Sequence, residues 1–158
     1  MSKHTLSVLV EDQPGVLARI AALFSRRGFN IESLAVGPTE LPDVSRITIV
    51  VSVEGSPLEQ VTKQLNKLVD VIKVTDLTKQ PFLSPEMVLI KVSTSKGKRS
   101  EIVELAYLFK GQIVSVQPDS VVIQKVDDHE VIDNLLEMLR PYGIMDVTRS
   151  GVIAMSKE

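Results

Sequence analysis

Three observations predict an α+β protein made of two consecutive β-α-β-β-α-β units. Short segments with alternating apolar residues, typical of strands, are separated by segments whose apolar residues recur at helical spacing. This order of segments occurs twice, on either side of a proline-containing stretch without periodicity. The chain has 158 residues, of which 44% are hydrophobic, enough for two small cores of roughly 75 residues each. We therefore predict domains at 1–78 and 87–158, joined by a linker at 79–86.

The first half contains the more regular of the two patterns. A strand is predicted at 5–11, where every second residue is apolar, and further strands at 30–36, 46–53 and 71–77. The first helix ends at Gly28, and its apolar positions are Val16, Ile20, Leu23 and Phe24. The second helix opens with a capping box at Ser56-Pro57-Leu58-Glu59, and its apolar positions are Leu58, Val61, Leu65 and Leu68.

The second half repeats this order with different residues. Strands are predicted at 87–94, 112–117, 121–126 and 144–148, with a short addition at 151–155. The apolar helix positions are Ile102, Leu105, Ala106 and Phe109 in one helix and Val131, Leu135 and Leu139 in the other, which Asp128 caps. Both halves thus predict the ferredoxin-like arrangement, in which two helices cover one face of an antiparallel sheet.

Ligand-capable groups are concentrated where the first strand turns into the first helix. Asp12, Pro14 and Gly15 form this turn, with Pro14 expected in the first helical turn. The free N–H groups from Gly15 to Leu17 and the helix dipole suit a small anion, while the carboxylate of Asp12 or the side chain of Asn30 could take an ammonium group. A ligand that carries a carboxylate beside an ammonium group is a free amino acid. The alternative is that these residues only begin a helix, as they do in most proteins.

Composition argues against several other functions. The net charge is −2 and the longest basic cluster is at 96–99, so no patch for nucleic acid is evident. An RNA-binding domain of the same strand order would need aromatic residues on its sheet, but the central strand at 46–53 has none. No apolar run approaches the roughly 20 residues of a membrane span. The chain has no cysteine, which fits a reducing compartment, and we expect a cytoplasmic protein without membrane contact.

No catalytic or metal-binding set can be assembled from the sequence. His4 and His129 are the only histidines; we expect the first at a frayed end of the chain and the second solvated, so neither supports a His-based triad or metal site. No glycine-rich phosphate loop occurs. We therefore expect a protein that binds and regulates, with no cofactor of its own.

Several motifs resemble a known family. D-Q-P-G-V-L-A-R-I, followed by R-R-G-F-N-I, is similar to the opening of the ACT domain, an amino-acid-binding regulatory module. Over the whole length, L-S-V-L-V-E-D-Q-P-G-V-L-A-R-I, S-R-I-T-I-V-V, L-E-Q-V-T-K-Q-L-N-K-L-V-D-V and the late R-S-G-V-I resemble the small, regulatory subunit of acetolactate synthase. The resemblance implies an ACT domain at 1–78 and the family's C-terminal domain at 87–158.

The resemblance also implies a function. Members of this family activate a separate, large catalytic subunit, which uses thiamine diphosphate and Mg²⁺ and is expected to carry FAD. That subunit condenses two pyruvates to 2-acetolactate, the first common step towards valine, leucine and isoleucine, and the small subunit makes it sensitive to feedback by valine. An ACT-domain sensor of another amino acid, acting on a different enzyme, is the alternative.

The family places the effector between two copies of the first domain, which implies a homodimer. The residues expected to bind valine are Asp12, Gly15, Val16, Leu17, Asn30 and Ile31. Asn30 and Ile31 would face the turn of the partner subunit, and Val16, Leu17 and Ile31 would supply an apolar wall. Where the family often has Asn, this chain has Asp12, which keeps an acceptor for the ammonium group but lacks the amide donor. The second half has no Asp-x-Pro-Gly turn, so we expect it to bind no effector of this kind.

Overall fold

The computed structural model describes residues 2–53 and 58–158. The chain divides into two compact units, of which the first comprises residues 1–84 together with 152–158 and the second comprises residues 85–151. In the described part of the chain, no helix is both long and apolar enough to cross a lipid bilayer.

The first unit has the predicted β-α-β-β-α-β order. Its elements are β1 (Ser2–Glu11), α1 (Val16–Arg26), β2 (Asn30–Pro38), β3 (Val44–Val53), α2 (Leu58–Asn66), β4 (Val71–Asp76), a turn of 3₁₀ helix at Leu77–Lys79 and the short β5 (Phe82–Leu83). The four long strands form one antiparallel sheet in the order β2-β3-β1-β4, so β2 and β4 are its edges. The ferredoxin-like fold class predicted from the sequence is confirmed.

The core of the first unit follows the sequence periodicity closely. The alternating residues Leu6, Val8 and Val10 of β1 are buried. All four predicted apolar positions of α1 are buried as well, because residues three or four apart lie on one face of a helix. In α2, Val61 and Leu65 are buried. The predicted capping box at Ser56-Pro57-Leu58-Glu59 lies partly outside the described residues.

The second unit repeats the topology. Its elements are β6 (Glu86–Ser93), α3 (Arg99–Leu108), β7 (Gln112–Gln117), β8 (Ser120–Asp127), α4 (His129–Leu139), a turn of 3₁₀ helix at Arg140–Tyr142 and β9 (Ile144–Arg149). The sheet order is β7-β8-β6-β9. In α4 the buried residues are Ile132, Leu135 and Leu139, so the predicted stripe was wrong in its first member: Val131, one residue earlier, is only partly buried. Both residues fit a helical period, and only the packing decides between them.

The segment after the second unit returns to the first. Strand β10 (Met155–Ser156) pairs antiparallel with β5. The N–H group of Val152 donates to Ser33 Oγ in β2 at 2.7 Å, and the side chains of Val152 and Ala154 are buried. The structural division therefore differs from the predicted boundaries, since residues 82–83 of the predicted linker form a strand and residues 152–158 belong with the first unit. A two-residue strand carries no periodicity, and its partner lies about seventy positions away in the sequence.

Both histidines have defined partners. His4 does not lie at a frayed end, as had been expected, whereas His129 is exposed as expected but also has side-chain partners. His4 lies within β1, and its Nδ1 is 3.1 Å from Asp76 Oδ2. In the second unit, Arg149 Nη2 donates to His129 Nδ1 at 2.9 Å. Because a guanidinium only donates, Nδ1 must accept, and the proton on Nε2 faces Asp133 Oδ2 at 3.1 Å.

Arg149 is the centre of this side-chain network. It also donates to the buried carboxylate of Glu86 through Nε and Nη2, at 2.9 and 2.6 Å, and to Asp133 through Nη1 at 2.9 Å. Burial alone would lower the pKa of Arg149, but its hydrogen bonds to Glu86 and Asp133 and their negative charges outweigh the burial and raise the pKa. The network joins the start of β6, the first turn of α4 and the end of β9, so it fixes one end of the second unit.

Candidate effector site

The turn between β1 and α1 differs from the prediction in where the helix begins. Helix α1 begins at Val16, with Gly15 as its N-cap at φ 83° and ψ −2°. Pro14 therefore precedes the helix. The prediction that it occupies the first helical turn was wrong. The left-handed conformation at position 15 is one that L-residues adopt only with strain, which explains the glycine there.

Backbone and side-chain contacts hold this turn in place. The N–H group of Glu11 donates to Asp70 O at 2.8 Å, and that of Asp12 donates to Asp43 O at 2.9 Å. Arg19 of α1 donates to the carboxylate of Asp70, whose side chain is largely buried. The turn is thus bound to the residues just before β3 and β4, and the start of α1 is bound to the residue just before β4.

A cavity of about 540 Å³ opens beside this turn. It lies between the start of α1 and strands β2 and β3, and its lining is made of Val10, Glu11, Asp12, Gln13, Gly15, Val16, Leu17, Ala18, Ala21, Leu34, Val36, Ser45 and Ile47. Four of the six predicted effector residues are brought together in this lining: Asp12, Gly15, Val16 and Leu17. Asn30 and Ile31 lie at the start of β2 and are not part of it.

The sequence reasoning missed the far wall of the cavity. Leu34 pairs with Ile49 and Val36 pairs with Ile47 across β2 and β3, so both face the helical side of the sheet. A register shift between Ile31 and Ser33 changes the alternation along β2. The alternation of Leu34 and Val36 was visible in the sequence, but their position beside α1 depends on strand pairing and could not be derived from local pattern alone.

Polar groups with unused hydrogen-bonding capacity line one side of this cavity. The Asp12 side chain is exposed and forms no hydrogen bond or ion pair with another described residue. Within the described chain, the N–H groups of Leu17 and Ala18 likewise have no acceptor, as is normal in a first helical turn. The cavity therefore offers an anionic group, two free donors and aliphatic side chains, which together match a small zwitterion with an apolar side chain.

The rim of the cavity is apolar and lies at the edge of the sheet. Leu17 is 39% exposed and Val36 is 51% exposed. Among the strands of residues 2–53 and 58–158, β2 pairs with β3 on one side only, so its other side presents unpaired backbone groups.

Comparison with known families decides what the chain is. A family model described as the AHAS small subunit-like ACT domain matches residues 6–73, and one described as the small subunit of acetolactate synthase matches residues 85–158. The chain belongs to the acetolactate synthase small-subunit family.

Relatives from bacteria and archaea match nearly the whole chain. The acetolactate synthase small subunit of Mycobacterium bovis is 53% identical over 154 residues, which cover 98% of this chain and 92% of the relative. A probable acetolactate synthase small subunit from Methanothermobacter thermautotrophicus is 48% identical over 98% of this chain and 92% of its own length. The crystal structure of the acetolactate synthase small subunit from Thermotoga maritima superposes with a TM-score of 0.89 at 35% identity, covering 100% of this chain and 99% of that one.

The R-S-G-V-I motif, one of those on which the family resemblance rested, has a structural explanation in this small subunit. Arg149 anchors the network around Glu86. The hydroxyl of Ser150 accepts a hydrogen bond from the N–H group of Met87 at 3.0 Å. The backbone N–H group of Ser150 donates in turn to Met87 O. Gly151 has φ 83°, and Val152 then begins the segment that returns to the first unit. The motif ends one unit and redirects the chain to the other.

Proposed function

We propose that this small subunit is the regulatory subunit of acetolactate synthase. It activates the large catalytic subunit, which condenses two pyruvates to 2-acetolactate and CO₂, and it confers feedback inhibition by valine. Thiamine diphosphate, Mg²⁺ and FAD are assigned to the catalytic subunit. The observation that carries the effector part of the proposal is the cavity beside Gly15, whose lining combines a free carboxylate, free N–H donors and aliphatic walls.

Each part of valine has a counterpart in this cavity. The carboxylate of valine is assigned to the N–H groups of Leu17 and Ala18, where the helix dipole favours an anion. Its ammonium group is assigned to Asp12, with the carboxylate of Glu11 in the same lining. Its isopropyl group is assigned to Leu34 and the neighbouring alanines of α1, because a branched side chain gains from burial against aliphatic atoms.

Dimerisation through β2 would complete the site. An antiparallel pairing of two β2 edges about their middle, near Ser33 and Leu34, sets Asn30 of the partner subunit against the Val36 end of the strand. The predicted effector residues Asn30 and Ile31 then close the cavity from the other subunit. The same pairing covers the exposed side chains of Leu17 and Val36 and satisfies the unpaired edge.

A shared site links effector binding to assembly. A ligand that contacts two subunits at once stabilises the arrangement in which both are present, so valine would favour one assembly state of the holoenzyme. Selection among valine, leucine and isoleucine depends on a methylene or a branch point, which a hydrophobic pocket distinguishes only modestly.

The proposal is tested with Gly15→Asp. An aspartate at position 15 adds strain at a positive φ, a Cβ 3.0 Å from Arg19 Nη1 and a negative charge in the cavity lining. Because this charge opposes that of the effector's carboxylate, calorimetric titration should detect no valine binding. The variant should still activate the catalytic subunit, but valine should no longer inhibit acetolactate formation.

The matched control is Gly97→Asp. Gly97 also has a positive φ, 72°, has open space where a Cβ would stand, and immediately precedes the N-cap of α3 in the second unit. The Gly97→Asp substitution also places an aspartate at a positive φ and adds the same charge, but away from the cavity and without the contact to Arg19, so valine sensitivity should be retained. Wild-type sensitivity in Gly15→Asp would place the effector elsewhere, and failure of wild-type protein to bind any of the three branched-chain amino acids would remove the effector claim.

A further inference from the structure

Strand β7 is an edge of the second sheet and carries no charged residue. In the described part of the chain, the edges of the two four-stranded sheets are β2, β4, β7 and β9. Glu32 lies in β2, Lys73 and Asp76 lie in β4, and Asp146 and Arg149 lie in β9, whereas β7 reads Q-I-V-S-V-Q. Charged residues normally protect a sheet edge, because its free N–H and C=O groups would otherwise pair with another strand. Their absence from β7 indicates that this edge is itself used for pairing.

Helix α3 runs alongside β7 in the opposite direction. Arg99, in the first turn of α3, donates through Nη2 to the O atoms of Gln117 and Pro118 at the far end of β7, at 2.8 Å in each case. The helix then ends shortly before β7 begins. Side chains four residues apart share one side of a helix. Val103 and Tyr107 therefore lie on the same side of α3 as Arg99, which is the side next to β7.

Three exposed apolar side chains accompany the free edge of β7. Val116 pairs with Val121, which belongs to the buried core, so Val116 points to the helical side of the sheet. Val116 is nevertheless 57% exposed, and Val103 and Tyr107 are 42% and 81% exposed. These three residues and the edge of β7 form what we call the α3–β7 surface. Such a surface suits an extended segment, whose backbone pairs with the edge while alternate side chains pack beside it.

Two cations stand at the ends of the α3–β7 surface. Arg99 is at the Gln117 end, and Lys110 lies in the turn that joins α3 to β7. Among the described residues, neither forms an ion pair with a carboxylate. A complementary segment is therefore apolar at alternating positions in its middle and acidic near its ends.

We propose that the α3–β7 surface binds an extended segment of the catalytic subunit, which adds to the second sheet as a further strand. The inference rests on the proposed function in one respect, namely that the small subunit forms a complex with the catalytic subunit. A second copy of the chain fits this surface less well. The register of β7 shifts between Ile113 and Ser115, in the middle of the strand, and a two-fold pairing of β7 with itself would set the two irregularities against each other.

Hydrogen exchange of the full-length small subunit tests the strand addition. When the catalytic subunit binds, the amides of residues 112–117 should exchange about tenfold more slowly or less, because the outward N–H groups of β7 gain acceptors. The amides of residues 144–149 are the internal control, since β9 is the other edge of the same sheet. Their exchange should not change.

Substitutions test the contribution of the side chains. Tyr107→Glu and Val116→Glu each place a negative charge on the α3–β7 surface, so each should weaken the affinity for the catalytic subunit about tenfold or more in biolayer interferometry. Both residues are largely exposed, so the variants should keep the circular dichroism spectrum and the Tm of the wild type. The matched control is Met138→Glu, at a residue that is 50% exposed on α4, and it should bind with wild-type affinity.

The outcomes distinguish the possible occupants of the surface. Wild-type affinity in both groove variants, or equal exchange of residues 112–117 in the free and bound protein, would overturn the proposal. Slower exchange of β7 that increases with the concentration of the isolated small subunit would assign the edge to a second copy, and would overturn it as well. Failure of the proposed function is recognised separately: the wild type would then bind without activating the catalytic subunit or without a response to valine, and absence of any complex would remove both claims.

Discussion

Arg149 pairs with a carboxylate that is almost fully buried. The side chain of Glu86 is 3% exposed, and Arg149 supplies it with two hydrogen bonds. Removing one member of a buried ion pair leaves the other charge uncompensated, which costs more than the pair itself contributes.

We therefore expect Arg149→Met to lower the free energy of unfolding of the second unit by about 3 kcal/mol. Urea denaturation followed by circular dichroism measures this loss. The double variant Arg149→Met with Glu86→Leu should recover a large part of it, because no buried charge remains. A double variant that is less stable than the single one would show that packing, and not charge, is the main contribution of Arg149.

Asp127 gives the second unit a dependence on acid pH. The hydrogen bond from Lys125, together with that from the N–H group of Asp128, holds the pKa of Asp127 below its ordinary value. A carboxyl group whose pKa is lowered on folding stabilises the protein above the pKa of the unfolded state, and this stabilisation is lost as the pH falls through the folded-state pKa. Lys125 is itself largely buried, and its ammonium group forms an ion pair with Asp127 at 2.9 Å.

Asp127→Asn should thus be less stable than wild type at neutral pH, and the difference should narrow as the pH is lowered through the acid range. Urea denaturation of both proteins at a series of pH values measures the difference. Asp119→Asn, in an exposed turn, should show no such trend. A difference that stays constant with pH would mean that Asp127 acts through its shape and not through its charge.

At the level of elements, the returning segment at 152–158 depends on one side-chain acceptor in β2. Ser33 Oγ accepts a hydrogen bond from the N–H group of Val152, a residue that is 5% exposed. Ser33→Ala leaves this N–H group buried without an acceptor, which should cost about 1 to 2 kcal/mol. Hydrogen exchange should detect faster exchange at 152–156 and in β5, with the amides of the second unit unchanged.

Ser100→Ala is the control for that experiment, since Ser100 is exposed on α3 and its hydroxyl group forms no hydrogen bond with another described residue. Protection at 152–156 that is the same in Ser33→Ala and wild type would show that strand pairing alone holds the segment.

The elements also show what could be predicted from the sequence. Periodicity located the helices and long strands, and the buried positions of α1 were predicted residue by residue, because local pattern determines which face of an amphipathic element is apolar. Features that depend on distant residues were not found. Leu34 and Val36 reach the cavity through their register with β3, His129 is held by Arg149, and β10 pairs with a segment that had been interpreted as a linker.

At the scale of the whole molecule, the proposed homodimer is tested by a change at the β2 edge. Val36→Asp introduces a charge into the apolar rim, where it would lie within the subunit contact, so dimerisation through β2 and valine binding should be lost together. The fold should persist, because Val36 is 51% exposed. Analytical ultracentrifugation and calorimetry measure the two effects in one preparation.

Ile72→Asp is closely matched, since Ile72 is 52% exposed and lies on β4, the opposite edge of the same sheet. It should leave valine binding intact. A Val36→Asp variant that binds valine with wild-type affinity as a monomer would contradict a site shared between subunits.

The return of residues 152–158 to the first unit also has a consequence for synthesis on the ribosome. The second unit is continuous in the chain, so all of its strands have emerged once residue 151 has left the exit tunnel. Strand β5 emerges before any residue of the second unit but must wait for β10, which follows the whole of it. Domains usually complete their folding in the order of translation. In this protein the unit that begins first acquires its last strand only after the unit that begins second.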